Sequence, residues 1–313
     1  MASTVSIPEP TTCERKRARF AARIGGISLG VASCDPELSI CADGELRDFL
    51  MEDARCDIEC TVRFVDCFAG SPGELIFESG GLWKLHRNSE GYCFELATIF
   101  LGPMPYKRAH VTSDFTNVKI ELLRRHYDSA KSWNPLEYPL DELLWIHRLS
   151  MGYGVEMHGC GVITPHGRGL LLTGHSGAGK STSARLWSKY SGARVLSDDR
   201  IILRRESNRI WMYGTPWHGD AGIAEADRFP LDQIFVLEHG ATNRVERMKV
   251  TTASAELFAR SFVPHHSQEG VSFVLAFFDA LTSLLPCYSF SFVPNLSAVE
   301  ALLGADTGNI AAA

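Results

Sequence analysis

One octapeptide constrains this chain more than anything else in it. Gly174-His175-Ser176-Gly177-Ala178-Gly179-Lys180-Ser181 satisfies the pattern G-x-x-x-x-G-K-[ST]. It stands between an apolar run, Leu170 to Thr173, and a stretch of helical character, Thr182 to Tyr190. The glycines let consecutive backbone N–H groups turn inward and form an anion-binding nest at the positive end of the following helix. Lys180 adds a point charge suited to the β- and γ-phosphates of a nucleotide, and Ser181 a hydroxyl suited to the shell of a Mg²⁺ ion. The expected nucleotide-binding set is therefore Gly174, Ser176, Gly177, Ala178, Gly179, Lys180, Ser181 and Thr182, with ATP and Mg²⁺ as cofactors. His175 lies inside the loop and is given no catalytic role.

A Mg²⁺ ion in such a place keeps several waters and adds one or two carboxylates. Eighteen residues after Lys180, the apolar segment Ala193 to Ser197 ends in Asp198-Asp199, at the carboxyl end of a predicted strand. Adjacent carboxylates repel each other and so invite different roles, one binding metal while the other takes a proton. A plainer alternative has one of them ligating and the other capping a turn. Upstream, Val155 to Ile163 and Leu170 to Thr173 read as a hairpin closed by Thr164-Pro165-His166-Gly167-Arg168-Gly169. A loop that follows a hairpin implies a mixed sheet rather than a doubly wound parallel one.

Met157-His158-Gly159, the loop from Gly174 to Thr182, and Leu196-Ser197-Asp198-Asp199 occur in that order. In this order and at closely similar spacing they resemble HPr kinase/phosphorylase and the related kinases found beside peptide-modification genes. The nucleotide domain of that family is similar to that of phosphoenolpyruvate carboxykinase. The resemblance covers about residues 155 to 203. It implies an α/β fold, a P-loop kinase domain with a mixed sheet, preceded by a smaller β-rich α+β domain. It also implies roles: Asp198 as the base for a substrate hydroxyl, Asp199 with Ser181 on Mg²⁺, Lys180 on the phosphates, and His158 tuning the acid pair. Tyr213-Gly214-Thr215-Pro216-Trp217-His218-Gly219-Asp220, and Pro230-Leu231 before Ile234 to Leu237, look more like the peptide-cluster kinases. The arginine-containing glycine motif and the basic loop of the HPr enzymes have no counterpart here, so a reverse phosphorylase reaction is not expected. The family's habit of oligomerising points to a homo-oligomer.

The rest of the chain bounds this reading. At 313 residues two domains are expected, a β-rich one over 1–130 and the nucleotide-binding one over 131–313. Turn signals recur from Ile24 to about Thr116: Ser71-Pro72-Gly73, Gly80-Gly81, Asn88-Ser89-Glu90-Gly91 and Gly102-Pro103. Glu59 to Phe68 and Gly91 to Phe100 show partial period-two character, with Ile58, Cys60, Val62 and Phe64 alternating. Leu46 to Ala54 and Val118 to Tyr127 read as helices, as does Leu140 to Leu149, which Pro139 opens. Val271 to Phe290 reads as a buried helix followed by a strand, because Asp279 and Pro286 make it too polar and broken for a membrane span.

A net charge of −6 supplies no cationic field for nucleic acid. Nine cysteines, an odd number with no C-x-x-C pair, favour reduced thiols and a cytoplasmic setting over zinc or disulfides. Arg15, Lys16, Arg17, Arg19 and Arg23 read as a solvated basic arm without a signal-peptide core, and the small-residue tail after Leu303 reads as frayed.

The leading expectation is an ATP-dependent kinase that passes the γ-phosphoryl group to a serine-type hydroxyl on an acceptor protein, peptide or small molecule, with no nucleic-acid or membrane partner. A nucleotide hydrolase or carboxykinase-like enzyme and a non-catalytic ATP-sensing protein are the alternatives. Trp217 and His218 either line the pocket or pack a strand end. Arg200 and Arg204 either neutralise phosphate charge or lie at the surface.

Overall fold

A computed structural model describes residues 19–52 and 55–306. The first half of the chain builds β1 (Arg19–Ile24), β2 (Ile27–Ser33), β3 (Ser39–Ile40), β4 (Leu50–Met51), β5 (Ile58–Val65), β6 (Glu74–Glu78), β7 (Trp83–Asn88), β8 (Gly91–Thr98), β9 (Gly102–Thr112), β10 (Asn117–Leu123) and β11 (Ser132–Trp133). Nine of these form one sheet in the order β4-β1-β2-β5-β10-β9-β8-β7-β6, while β3 and β11 pair separately. In β5 the side chains of Ile58, Cys60, Val62 and Phe64 are buried in alternation, the period that a sheet with one covered face imposes. Cys60 is thus a small core residue, and no disulfide forms among the cysteines of the described residues.

Two expected helices are absent from this half. Val118 to Tyr127 is the strand β10 followed by a single 3₁₀ turn, Arg124–His126. β10 pairs in parallel with β5 and antiparallel with β9, so its backbone groups are satisfied on both sides, and Val118, Ile120 and Leu122 all enter the core. Of Leu46 to Ala54, the described part is a 3₁₀ segment, Gly44–Phe49, followed by β4, which adds to the edge of β1; Asp53 and Ala54 lie outside the described residues.

The second half contains α1 (Leu140–Leu149), β12 (Val155–Ile163), β13 (Gly169–Thr173), α2 (Lys180–Lys189), β14 (Arg194–Ser197), β15 (Arg200–Glu206), β16 (Arg209–Gly214), β17 (Arg228–Pro230), β18 (Gln233–His239), β19 (Arg244–Arg247), α3 (Val250–Phe258), β20 (Ser261–Phe262), α4 (Gln268–Leu284), β21 (Cys287–Phe292) and α5 (Leu296–Asp306). Its sheet is mixed: β12 and β13 form the expected antiparallel hairpin, whereas β13, β18 and β21 run parallel. Alternate residues of β13 serve opposite faces. Leu171 joins a core with residues of α3 and α4, while Leu170 and Leu172 join one with residues of α2 and α5. A strand covered on both faces reads as an unbroken apolar run, as this one does.

Helix α1 does not pack with those layers. Leu140, Leu143, Leu144, Trp145 and Leu149 enter the core of the first sheet, together with Ile202, Tyr213 and Trp217 from the second half. The Trp145 indole N–H donates to the carbonyl of Ile24 at 3.0 Å. Arg204 reaches the Gly25 carbonyl at 2.7 Å. The two sheets are therefore joined through a shared apolar seam. Among the described residues no helix is long and apolar enough to cross a membrane. Arg19 and Arg23 lie on β1, whereas Arg15, Lys16 and Arg17 lie outside the described residues, as does the tail after Asp306.

Candidate functional site

The ends of two strands and the middle of a third meet at the Gly174–Ser181 loop. β13 delivers the loop itself, β12 runs antiparallel beside it with Gly159 opposite Thr173, and β14 pairs with the far end of β12 and ends at Ser197. The first part of β12 pairs with β15, placing His158 opposite Arg200, and its second part pairs with β14, placing Gly161 opposite Ser197; Leu196 is the extra residue where the β12–β14 register shifts. The Thr173 hydroxyl donates to the His158 carbonyl at 2.7 Å, which fixes the histidine's backbone to the start of the loop.

The loop turns where its glycines permit. Gly179 has φ +98°, and a Cβ there would stand 2.6 Å from the Phe292 ring. At Gly174 a Cβ would stand 2.7 Å from that of Ala178. His175, Ser176 and Gly177 are exposed, Ala178 is buried, and Ser181 and Thr182 are half-buried in the first turn of α2. The Lys180 ammonium is buried and donates to the carbonyls of Gly174 at 3.0 Å and His175 at 3.1 Å. Burial lowers its pKa, and the nearby charge of Asp199 opposes that shift. His239, at the end of β18, contacts the Gly177 carbonyl through Nε2 at 2.6 Å, an anchor no sequence pattern announces.

The two aspartates after β14 occupy opposite situations. Asp199 is partly exposed; its Oδ1 lies 2.8 Å from His158 Nε2, and its Oδ2 is paired with the Arg200 guanidinium. Burial would raise its pKa, but His158, Arg200 and Lys180 outweigh burial and hold the carboxyl below its ordinary range. An ionised, partly open carboxylate close to Lys180 and the start of α2 is chemistry that fits a divalent cation.

Asp198 has no exposed surface. Its Oδ1 accepts the N–H groups of Gly219 at 3.0 Å and Ile223 at 3.2 Å, and its Oδ2 that of Ala221 at 2.9 Å. A general base has to come within hydrogen-bond reach of the hydroxyl it serves. In this arrangement Asp198 instead organises the 219–223 segment. These three bonds are of the kind that the turn-capping alternative describes.

Arg200, Trp217, His218 and Arg204, each left with two alternatives by the sequence, all find partners in the structure. Arg200, far from lying at the surface, is mostly buried; its Nε donates to Glu142 of α1 at 2.7 Å, and its guanidinium lies 4.4 Å over the Phe262 ring. Trp217 is buried, packs on Trp145 and donates its indole N–H to Asp141 at 2.7 Å, so the packing alternative describes it. His218 is more exposed and pairs with Glu45 at 3.2 Å. Arg204 is engaged with the backbone of Gly25 and Tyr153.

No family model matches the chain, and no curated protein matches it. Among solved structures, the Hpr(Ser) kinase/phosphatase from Coxiella burnetii is similar to it at 17% identity, over 49% of this chain and 90% of that one, with a TM-score of 0.29.

Proposed function

We propose that the chain is an ATP-dependent phosphotransferase that moves the γ-phosphoryl group to a serine-type hydroxyl on a small protein, peptide or metabolite. One observation carries this reading: the glycine-rich loop at the N-terminus of α2 stands beside the pair formed by His158, in the middle of β12, and Asp199, just past the end of β14. Phosphoryl transfer through a loose transition state asks a protein for positioning and charge neutralisation more than for covalent help.

The backbone N–H groups from Gly174 to Thr182 would bind the phosphates, and Lys180 would exchange its loop carbonyls for β- and γ-phosphate oxygens. Ser181 and Asp199 are the groups that would hold Mg²⁺, which when bound neutralises charge on the transferred group. His158 orients Asp199 through the 2.8 Å contact. Asp198 keeps the 219–223 segment against the site, and would act as a base only after releasing the three N–H groups it accepts.

The test is mass spectrometry of candidate acceptors incubated with ATP and Mg²⁺, with Lys180→Ala and Asp199→Asn proteins as controls. Acceptor that gains one phosphate with the wild type and not with the variants supports the proposal. Nucleotide turnover without acceptor modification would make the protein a hydrolase, and failure to bind ATP would end the reading.

A further inference from the structure

The first turn of α1 contains Asp141-Glu142, two acidic residues that are both buried. Acids there suit the helix dipole and need no other explanation in a sequence. Their contacts lead elsewhere. Asp141 accepts the Trp217 indole N–H at 2.7 Å, and the segment that follows Trp217 supplies the three N–H groups bound by Asp198. Glu142 accepts Arg200 Nε at 2.7 Å, and the same guanidinium pairs with Asp199. Two consecutive residues of one helix are thus linked to the two consecutive aspartates, Glu142 to Asp199 through Arg200 alone, and Asp141 to Asp198 through Trp217 and the backbone segment that follows it.

A third carboxyl completes the arrangement. Glu156 of β12 is fully buried and lies 3.7 Å from Arg200 Nε. Burial, and after it the adjacent Glu142, push its pKa well up. Arg200 lies between Glu142 and Asp199 and divides its donors between the two carboxyls, while Asp199 stays partly exposed.

We infer that Asp141 and Glu142 are positioning residues for the acid pair, Glu142 acting on Asp199 through Arg200 and Asp141 acting on Asp198 through Trp217. This rests on the phosphotransferase reading of the site and adds α1, a helix packed in the core of the first sheet, to its working parts. With Glu142 gone, Arg200 commits its charge to Asp199 and competes with the metal.

The experiment measures the Mg²⁺ concentration that half-saturates ATP binding, and separately ATP affinity at saturating Mg²⁺, on the full chain. Glu142→Leu should raise the Mg²⁺ requirement about tenfold while changing ATP affinity at saturating Mg²⁺ less than about twofold, roughly the weight of one charged hydrogen bond. Glu142→Gln keeps an acceptor for Arg200 and should restore the requirement to within about threefold of wild type. In an Arg200→Gln background Glu142→Leu should have no further effect. For the other arm, Trp217→Phe removes only the donor to Asp141 and should reduce turnover with ATP affinity unchanged.

An unshifted Mg²⁺ requirement in Glu142→Leu, or a full shift that persists without Arg200, would overturn the Glu142 arm. Unchanged turnover in Trp217→Phe would overturn the other. If the wild-type protein itself takes up no ATP, the reading of the site fails first, and this inference with it. Should Glu142→Leu not fold, the Glu142→Gln and Arg200→Gln proteins carry the comparison: a Mg²⁺ requirement in Arg200→Gln equal to wild type would refute the link.

Discussion

Replacing Asp198 by Asn separates an anchor from a base. The carboxylate is buried and receives three backbone N–H groups, two on Oδ1 and one on Oδ2. An asparagine can keep its oxygen toward Gly219 and Ile223, but its amide nitrogen then faces the Ala221 N–H, donor against donor. A buried donor left without an acceptor costs about 1–3 kcal/mol. The two bonds that remain lose their charge assistance, which roughly halves them. Together the substitution should destabilise the protein by about 3 kcal/mol, a fall of roughly 6–12 °C in melting temperature for a unit of 150–250 residues. A calorimetric scan reads the first effect. Amide hydrogen exchange reads the second, with protection lost at Gly219, Ala221 and Ile223. If Asp198→Asn melted within about 1 °C of wild type and kept that protection, yet transferred no phosphate, the anchoring argument would be refuted and the carboxylate would be a chemical participant.

Lys180→Ala should weaken ATP binding by about 10–100-fold, the weight of one or two charged hydrogen bonds, and calorimetric titration checks it. Gly179→Ala should destabilise the start of α2, because it places a side chain at φ +98° and against Phe292; a thermal scan with unchanged midpoint would contradict the steric argument. His218 has its pKa raised, first by its hydrogen bond to the Gly219 carbonyl and then by Glu45. Its contribution to stability is therefore complete below about pH 6.5 and fades as the pH rises through the folded value. An NMR titration of the imidazole should place its midpoint above 6.5, and Glu45→Gln should lower that midpoint.

What the sequence makes legible here is local pattern. The loop, the hairpin before it, the helix after it and the strand ending at Ser197 all follow from runs of a few residues, and each stands where the spacing put it. Val118 to Tyr127 shows where such reading stops. Val118, Ile120 and Leu122 fit a strand, but Leu123 and the charges between them also suit a helix. Only the presence of β5 and β9 on either side decides between the two. The partition of the aspartates is similarly non-local, since Asp198 becomes an anchor through N–H groups 21 to 25 residues away. Glu142 and Arg200 are separated by 58 residues and Asp141 and Trp217 by 76, and no spacing rule links either pair.

The seam formed by Leu140, Leu144, Trp145, Ile202, Tyr213 and Trp217 bears on how the protein can be handled. A fragment begun at residue 131 would carry α1 stripped of its covering, with a wide greasy surface facing solvent and an indole N–H deprived of the Ile24 carbonyl. Such a piece would clump during expression, and any activity lost with it would say nothing about what the missing half recognises. Dissecting the two halves calls for point substitutions in the intact polypeptide, not for scissors.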